Sequence, residues 1–262
     1  MTLLVCSTST RKYLPQYERV EIISEPPKKD ILEKMNSEED VVAIGGGAVI
    51  DAAKIISRNP IVCYPTTASG STATSWAVYW DGTNKNSIEC QLPNQVHFKS
   101  SFMQGLPDDI LINTTCDALS HCLDSLNSTK STELSLKYCK EALGLLEQKE
   151  NKEILLKAGH LAGKAIQITG TNLLHCLSYP MTGHYNIPHG KALAYLLPRI
   201  GKLMADIDIN TIIYDCRVEL TNINFNFIVD EALKYDKIYE SKLSFDATTL
   251  KELLNEEHIL KN

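Results

Sequence analysis

The sequence predicts an α/β fold in which an abbreviated, Rossmann-like parallel sheet is followed by an all-helical half. Three observations carry this. Up to about residue 105, short runs rich in β-branched residues alternate with stretches of helical spacing. Beyond that point apolar residues recur at helical spacing almost without interruption. A run of three glycines stands where the third strand passes into a helix. Strand–helix–strand alternation implies parallel pairing, and the change of character predicts two units, 1–104 and 105–262.

Taken in order, Leu3 to Cys6, Val20 to Ile23, Val41 to Ile44 and Ile61 to Tyr64 read as four strands. Lys28 to Met35 and Val49 to Ser57 have helical spacing between them. The first crossover has only about a dozen residues, near the minimum for such a connection, and contains Pro15, so no full helix is expected there. Trp76 to Phe98 reads as a β-rich excursion. Helices are then expected over Cys116 to Leu126, Glu133 to Glu147, Ile154 to Ile168, Leu173 to Tyr179, Lys191 to Met204 and Phe227 to Lys234. The charged stretch Lys149 to Lys152 reads as a solvated turn, and Tyr179 to Pro188 as a helix end, a turn and a Pro-initiated helix.

Composition narrows the function classes. Apolar residues make up 44% of the 262 and charged residues 22%, ordinary for a soluble globular chain. A formal charge of −6, with Lys and Arg scattered, argues against nucleic acid and against an anionic membrane surface. No apolar run approaches the roughly 20 residues of a membrane span. The eight cysteines form no CxxC pair, and most lie in apolar runs, so reduced structural thiols are expected. The start of the chain lacks the basic and apolar regions of a signal peptide. A cytoplasmic location is the expectation.

Two loops point to a ligand. Gly45-Gly46-Gly47 follows the third strand and opens a helix carrying Asp51 and Lys54. Glycines there let backbone N–H groups approach a pyrophosphate at a helix N-terminus. Pro65 to Thr72, rich in hydroxyls, follows the next strand. Ligands of open parallel sheets sit beyond the carboxyl ends of the strands, so the two loops point at one crevice.

The helical half carries a donor set. Asp117 and His121 are four apart and share a helix face. His175 and His189 flank the 179–188 segment, whose turn can bring both imidazoles to one point. One carboxylate with three imidazoles suits a divalent first-row metal, Fe2+ or Zn2+.

GGGAVIDAAK at 45–54, PTTASGS at 65–71, DALSH at 117–121 and HCLSYPMTGHYNIPHG at 175–190 together resemble the iron-containing (group III) alcohol dehydrogenase family, from about Asp40 to Pro198. The resemblance implies a two-domain, dehydroquinate synthase-like fold and a metal-dependent alcohol dehydrogenase or aldehyde reductase using NADPH or NADH. It implies metal ligands at Asp117, His121, His175 and His189, and dinucleotide contacts at Ser7, Gly46, Gly47, Asp51, Thr66, Thr67, Ser71, Thr74 and Lys85. A homodimer acting on a small aldehyde or alcohol is expected.

The chain departs from the family pattern in places. Most members are longer, mainly before Asp40 and after Pro198, and the Thr-Thr loop is one residue short here. Tyr179 stands where many members have a histidine, so Tyr179, His184 or a metal-bound water is the expected proton relay. SWAVYWDGTNKNS at 75–87 and LSYPMTGHYNIPHG at 177–190 look most like the branch that reduces phosphonoacetaldehyde to 2-hydroxyethylphosphonate. Lys164, Asn172 and His184 are candidate anion contacts. NAD-preferring members carry an acidic residue just after the first strand. Ser7 stands there, with Arg11 and Lys12 nearby, so NADPH is the expected preference. The rival readings are another semialdehyde reductase, a sugar-phosphate cyclase-like lyase, which the Asp-plus-three-His set disfavours, and a non-catalytic relative.

Overall fold

The computed structural model describes residues 2–34, 38–148, 151–205, 212, 218 and 220–255. Five strands, β1 (Thr2–Cys6), β2 (Val20–Ile22), β3 (Asp40–Gly45), β4 (Ile61–Pro65) and β7 (Gln95–Val96), form one sheet in the order β2-β1-β3-β4-β7, every pair parallel. Side chains alternate across it. Leu3, Val5, Val41 and Ala43 face helix α1 (Gly47–Ile56), while Leu4, Cys6, Val42 and Ile44 face Tyr13, Tyr64 and Phe102. As Pro15 implies, the first crossover holds only a 3-10 turn, Arg11–Tyr13. The helix expected over Lys28 to Met35 is also a 3-10 turn, Lys29–Lys34, with Met35 outside the described residues.

The excursion after β4 is an antiparallel hairpin, β5 (Trp76–Asp81) and β6 (Asn84–Glu89). Lys54 fastens it to the sheet. Its side chain is fully buried, pairs with Asp51 at 2.8 Å and donates to the carbonyls of Ser71, Thr74 and Trp76. Asp51 accepts in addition from Val78 N at 3.2 Å.

The helical half comprises α2 (Asp108–Leu126), α3 (Glu133–Leu146), α4 (Lys152–Thr169), α5 (Leu173–Tyr185), α6 (His189–Leu196), the short α7 (Lys202–Met204), α8 (Phe225–Ala232) and α9 (Ala247–Asn255) around one apolar core. Helix α2 begins eight residues before the stretch at Cys116 that periodicity marked. The helix end expected at Tyr179 is overturned: α5 runs through Pro180 to Tyr185 and stops at Asn186, which is left-handed at φ 54°. Pro180 removes one donor from the helix, and packing against the core outweighs that loss. No helix among the described residues is long and apolar enough to cross a membrane. Cys6, Cys63, Cys90, Cys122, Cys139 and Cys176 are free thiols, and Cys216 lies outside the described residues.

Glycines set how closely the halves approach. A Cβ on Gly159 or Gly163 of α4 would come within 2.3 Å of the carbonyl oxygens of Ala68 and Gly70, respectively, so only glycine lets α4 lie against the hydroxyl-rich loop. A Cβ on Gly183 would meet Thr83 O at 2.2 Å, which brings the β5–β6 turn onto α5.

Candidate metal centre and active site

Helix α2 presents Asp117, His121 and Asp124 at i, i+4 and i+7, one face. His175 lies in the first turn of α5, and His189 opens α6. Gly190 lets α6 reach α2, since a Cβ there would stand 2.4 Å from Asn113 O. Asp117 Oδ1 then lies 3.5 Å from His121 Nε2, 3.4 Å from His175 Nε2 and 3.6 Å from His189 Nε2. All four expected ligands thus meet at Asp117 Oδ1, His189 standing outside the mutual cluster of Asp117, His121 and His175.

The arrangement fits a cation. Asp117 Oδ1 and His175 Nε2 are buried without a hydrogen-bond partner among the described residues, a costly condition unless something else satisfies them. Ligand atoms held by one first-row ion at about 2.1 Å, at a tetrahedral angle, stand about 3.4 Å apart. The donor atoms of Asp117, His121 and His175 all lie within 4.8 Å of one another. Burial works against ionising Asp117, but the three imidazoles outweigh it and hold the carboxyl well below its usual range. Burial lowers His121 to about 4, and burial together with Lys85 lowers His189, so both favour the neutral, ligating form.

Neighbouring groups fix which nitrogen is free. His175 Nδ1 lies 2.8 Å from Asp124, a carboxylate that also accepts from the backbone N–H groups of Asn172, Leu174 and His175. His189 Nδ1 meets Ser178 Oγ at 3.3 Å, and that hydroxyl donates to His175 O. The Nδ1–H groups of His175 and His189 are thereby engaged, leaving their Nε2 atoms as donors to an ion, whereas His121 Nδ1 has no hydrogen-bond partner among the described residues. Burial opposes protonation of His175, but Asp117 and Asp124 on either side push it up to about 9.

Tyr179 sits four residues after His175 on the same face, 4% exposed, its ring 6.2 Å from that of His189. Lys237 Nζ donates to its hydroxyl at 2.8 Å, and Lys85 Nζ lies 4.2 Å from its ring centroid. Burial would raise the phenol, but Lys237 and Lys85 prevail and bring it down to about 8. Sequence reasoning missed Lys237 and Asp124. The i+7 spacing from Asp117 was a signal for Asp124; nothing local marks Lys237.

His184 is placed elsewhere: it is exposed, meets Phe227 edge-on, and lies about 140° around α5 from Tyr179. Asn172 is not available as an anion contact. It is fully buried, its amide N–H₂ donates to Asp124 O and its carbonyl oxygen caps Leu173 N. Lys164 lies over the ring of Tyr138.

Of the expected dinucleotide contacts, Gly46 and Gly47 face the second loop. A Cβ on Gly46 would be 3.2 Å from Thr67 Oγ1, and one on Gly47 would be 2.9 Å from Ser71 Oγ. Gly45 and Pro65 are register partners, and Thr66 N bonds Gly45 O at 3.0 Å, so the loops leave the sheet side by side. Thr67 Oγ1 is buried without a partner among the described residues. Asp51 is bound to Lys54 and Val78, and Thr74 Oγ1 to Trp76 O and Lys54, so both shape the loop from behind. Lys85 lies with Tyr179. Ser7 stands at the end of β1, hydrogen-bonded to Ser9 and Thr10. Arg11 is engaged within its own loop, its guanidinium donating to Leu14 O and Tyr17 O.

Comparison with known proteins bears on the family and the fold. The family model of the C-terminal part of Fe-containing alcohol dehydrogenases matches residues 111–244, and an iron-containing alcohol dehydrogenase model matches 15–104. The chain is 28% identical over 199 residues to the probable alcohol dehydrogenase EutG of Salmonella typhimurium, covering 62% of this chain and 50% of that protein. It spans about half the length of several of the curated relatives it matches. A crystal structure of an iron-containing alcohol dehydrogenase superposes with a TM-score of 0.80 at 24% identity, over 96% of this chain and 90% of that one. The sulfoacetaldehyde reductase of Bifidobacterium kashiwanohense, solved with NAD+, gives a TM-score of 0.80 at 18% identity, over 97% and 88%. With its C-terminal family model covering more than half the chain and its fold shared with solved members, the protein belongs to the iron-containing alcohol dehydrogenase family.

Proposed function

We propose that this chain is a metal-dependent, NAD(P)H-linked aldehyde reductase whose substrate is phosphonoacetaldehyde, reduced to 2-hydroxyethylphosphonate. The observation that carries the reductase reading is the one buried carboxylate oxygen facing three imidazole Nε2 atoms at 3.4–3.6 Å. Asp117, His121, His175 and His189 would hold Fe2+, or Zn2+ where it competes. When bound, the ion supplies Lewis-acid polarisation of a carbonyl and the reduced nicotinamide supplies hydride. Gly46, Gly47 and Thr67 offer N–H and hydroxyl donors to the dinucleotide phosphates. Tyr179 holds a proton on its phenol beside the centre, and Lys237 orients that hydroxyl. The substrate assignment is supported by the 75–87 and 177–190 segments. The sulfoacetaldehyde reductase, a protein of the same fold, is named for an aldehyde with a similar anionic group.

NAD(P)H oxidation after anaerobic Fe2+ loading, across a small aldehyde panel, tests the reading. Turnover with phosphonoacetaldehyde, absent in His189→Ala along with the bound metal, is the expected result. Wild-type metal content and turnover in His189→Ala would remove the metal assignment. Tyr179→Phe should lower kcat by about 100-fold or more, the usual worth of a positioned proton donor.

A further inference from the structure

We infer that Lys237, with Lys85 and Thr171, forms an anion-recognition site beside the metal centre, seating a second, anionic group of the aldehyde substrate. This rests on the aldehyde-reductase reading and adds to it the residues that select the substrate. Lys237 lies in the 3-10 turn Asp236–Glu240, which follows α8 and packs against α5. Its Nζ bonds Tyr179 OH at 2.8 Å and Thr171 Oγ1 at 3.2 Å, and Thr171 Oγ1 lies 3.1 Å from the same phenol. Lys85 arrives from β6, with Gly183 allowing the hairpin's approach. Its Nζ is 4.2 Å from the Tyr179 ring centroid and that of Lys237 is 4.5 Å.

Two ammonium groups therefore flank one buried ring, and among the described residues no carboxylate forms an ion pair with either. The contrast is with Lys29, Lys130 and Lys157, all exposed and each paired with a carboxylate. Lys85 and Lys237 are both half-buried, and like charges brought to one ring are unfavourable until an anion joins them. The phenol offsets this only in part, through its ring face and hydroxyl. One proton of Lys237 and all three of Lys85 lack a protein acceptor among the described residues.

The anion must be small, since the cluster adjoins the buried rings of Tyr179 and His175, 6.4 Å apart. The dinucleotide phosphates have a separate cradle on the sheet loops, where Gly46 and Gly47 face Thr67 and Ser71. The remaining source is the substrate. The spacing suits a molecule of a few carbons, its carbonyl at the metal centre and its phosphonate, sulfonate or carboxylate at the lysines.

The test uses metal-loaded wild type, Lys237→Met, Lys237→Arg and Lys85→Met, titrated calorimetrically with methylphosphonate and with ADP. Lys237→Met should weaken methylphosphonate binding about tenfold to a hundredfold, the usual worth of a charged hydrogen bond. Lys237→Arg should recover most of the loss, and ADP binding should follow the wild type. In parallel, the kcat/KM ratio of phosphonoacetaldehyde to propionaldehyde should fall at least about tenfold in Lys237→Met and return in Lys237→Arg. Lys85→Met makes the same comparison where Lys237→Met does not fold. Unchanged methylphosphonate binding overturns the inference, and so does a parallel loss of ADP, which would place the lysines at the cofactor. If wild type reduces no aldehyde, the reductase reading fails, while the calorimetry still decides the anion site.

Discussion

Asp124 and His175 are joined by a 2.8 Å contact in which the carboxylate does two jobs. Asp124 is fully buried, receives the ring Nδ1–H, and at the same time accepts three backbone N–H groups at the start of α5. It satisfies donors that a helix N-terminus leaves open, and it aims Nε2 of the same helix's histidine at Asp117. Fold and site share one side chain.

Asp124→Asn should therefore separate from a simple stability defect. Loss of the partner that orients a ligating histidine costs about 10- to 100-fold in metal affinity, and a buried charged network loses about 3 kcal/mol when one member goes. Metal competition titration and urea unfolding measure the two. Unchanged metal affinity would show that Asp124 serves the helix alone.

Gly190→Ala and Gly183→Ala test the close approaches. Each added methyl meets a backbone carbonyl oxygen, at 2.4 Å on Asn113 and 2.2 Å on Thr83. Overpacking of this kind costs about 1–3 kcal/mol. Gly190→Ala should weaken metal binding by shifting His189, whereas Gly183→Ala should spare metal and impair use of an anionic substrate by lifting the hairpin that carries Lys85. Bound metal per chain and the anionic-to-neutral kcat/KM ratio distinguish them.

Lys54→Met leaves Asp51 buried beside Val78 with its cation gone, and three loop carbonyls without their donor. A broken buried pair costs about 3–5 kcal/mol. The midpoint of urea unfolding should fall accordingly, and the Kd for ADP should rise because the 65–74 loop loses its anchor. The Asp51→Asn, Lys54→Met double variant should be less unstable than the sum of the single variants.

Ser7→Asp places a carboxylate at the end of β1. With Arg11 donating to Leu14 O and Tyr17 O, and the buried Thr10 hydroxyl donating to Ile44 O, Ser7 and Ser9 are the hydroxyls that would meet the 2′-phosphate of NADPH. The new charge should lower the NADPH-to-NADH ratio of kcat/KM by about tenfold or more. An unchanged ratio would place the ribose elsewhere.

Much of this protein is written locally. The β-branched runs at 3–6, 41–44 and 61–64, the glycines after β3 and the Asp117/His121 spacing are short-range patterns, and strand pairing, the loop pair and the shared helix face follow from backbone periodicity alone. Long-range packing decided the rest. Pro180 signals a helix end, yet burial of Tyr179, Pro180 and Met181 against the core carries α5 on to Tyr185. Asn172 looks like a free polar residue until the α2–α5 contact encloses it. Arg11 looks available until its own loop folds back on it. Lys237 lies 58 residues from Tyr179 in the chain, and no periodicity links positions so far apart. Only the docking of the Asp236–Glu240 turn on α5 sets the second ammonium beside that phenol, because the position of a charge in space is fixed by the packing of the elements that carry it.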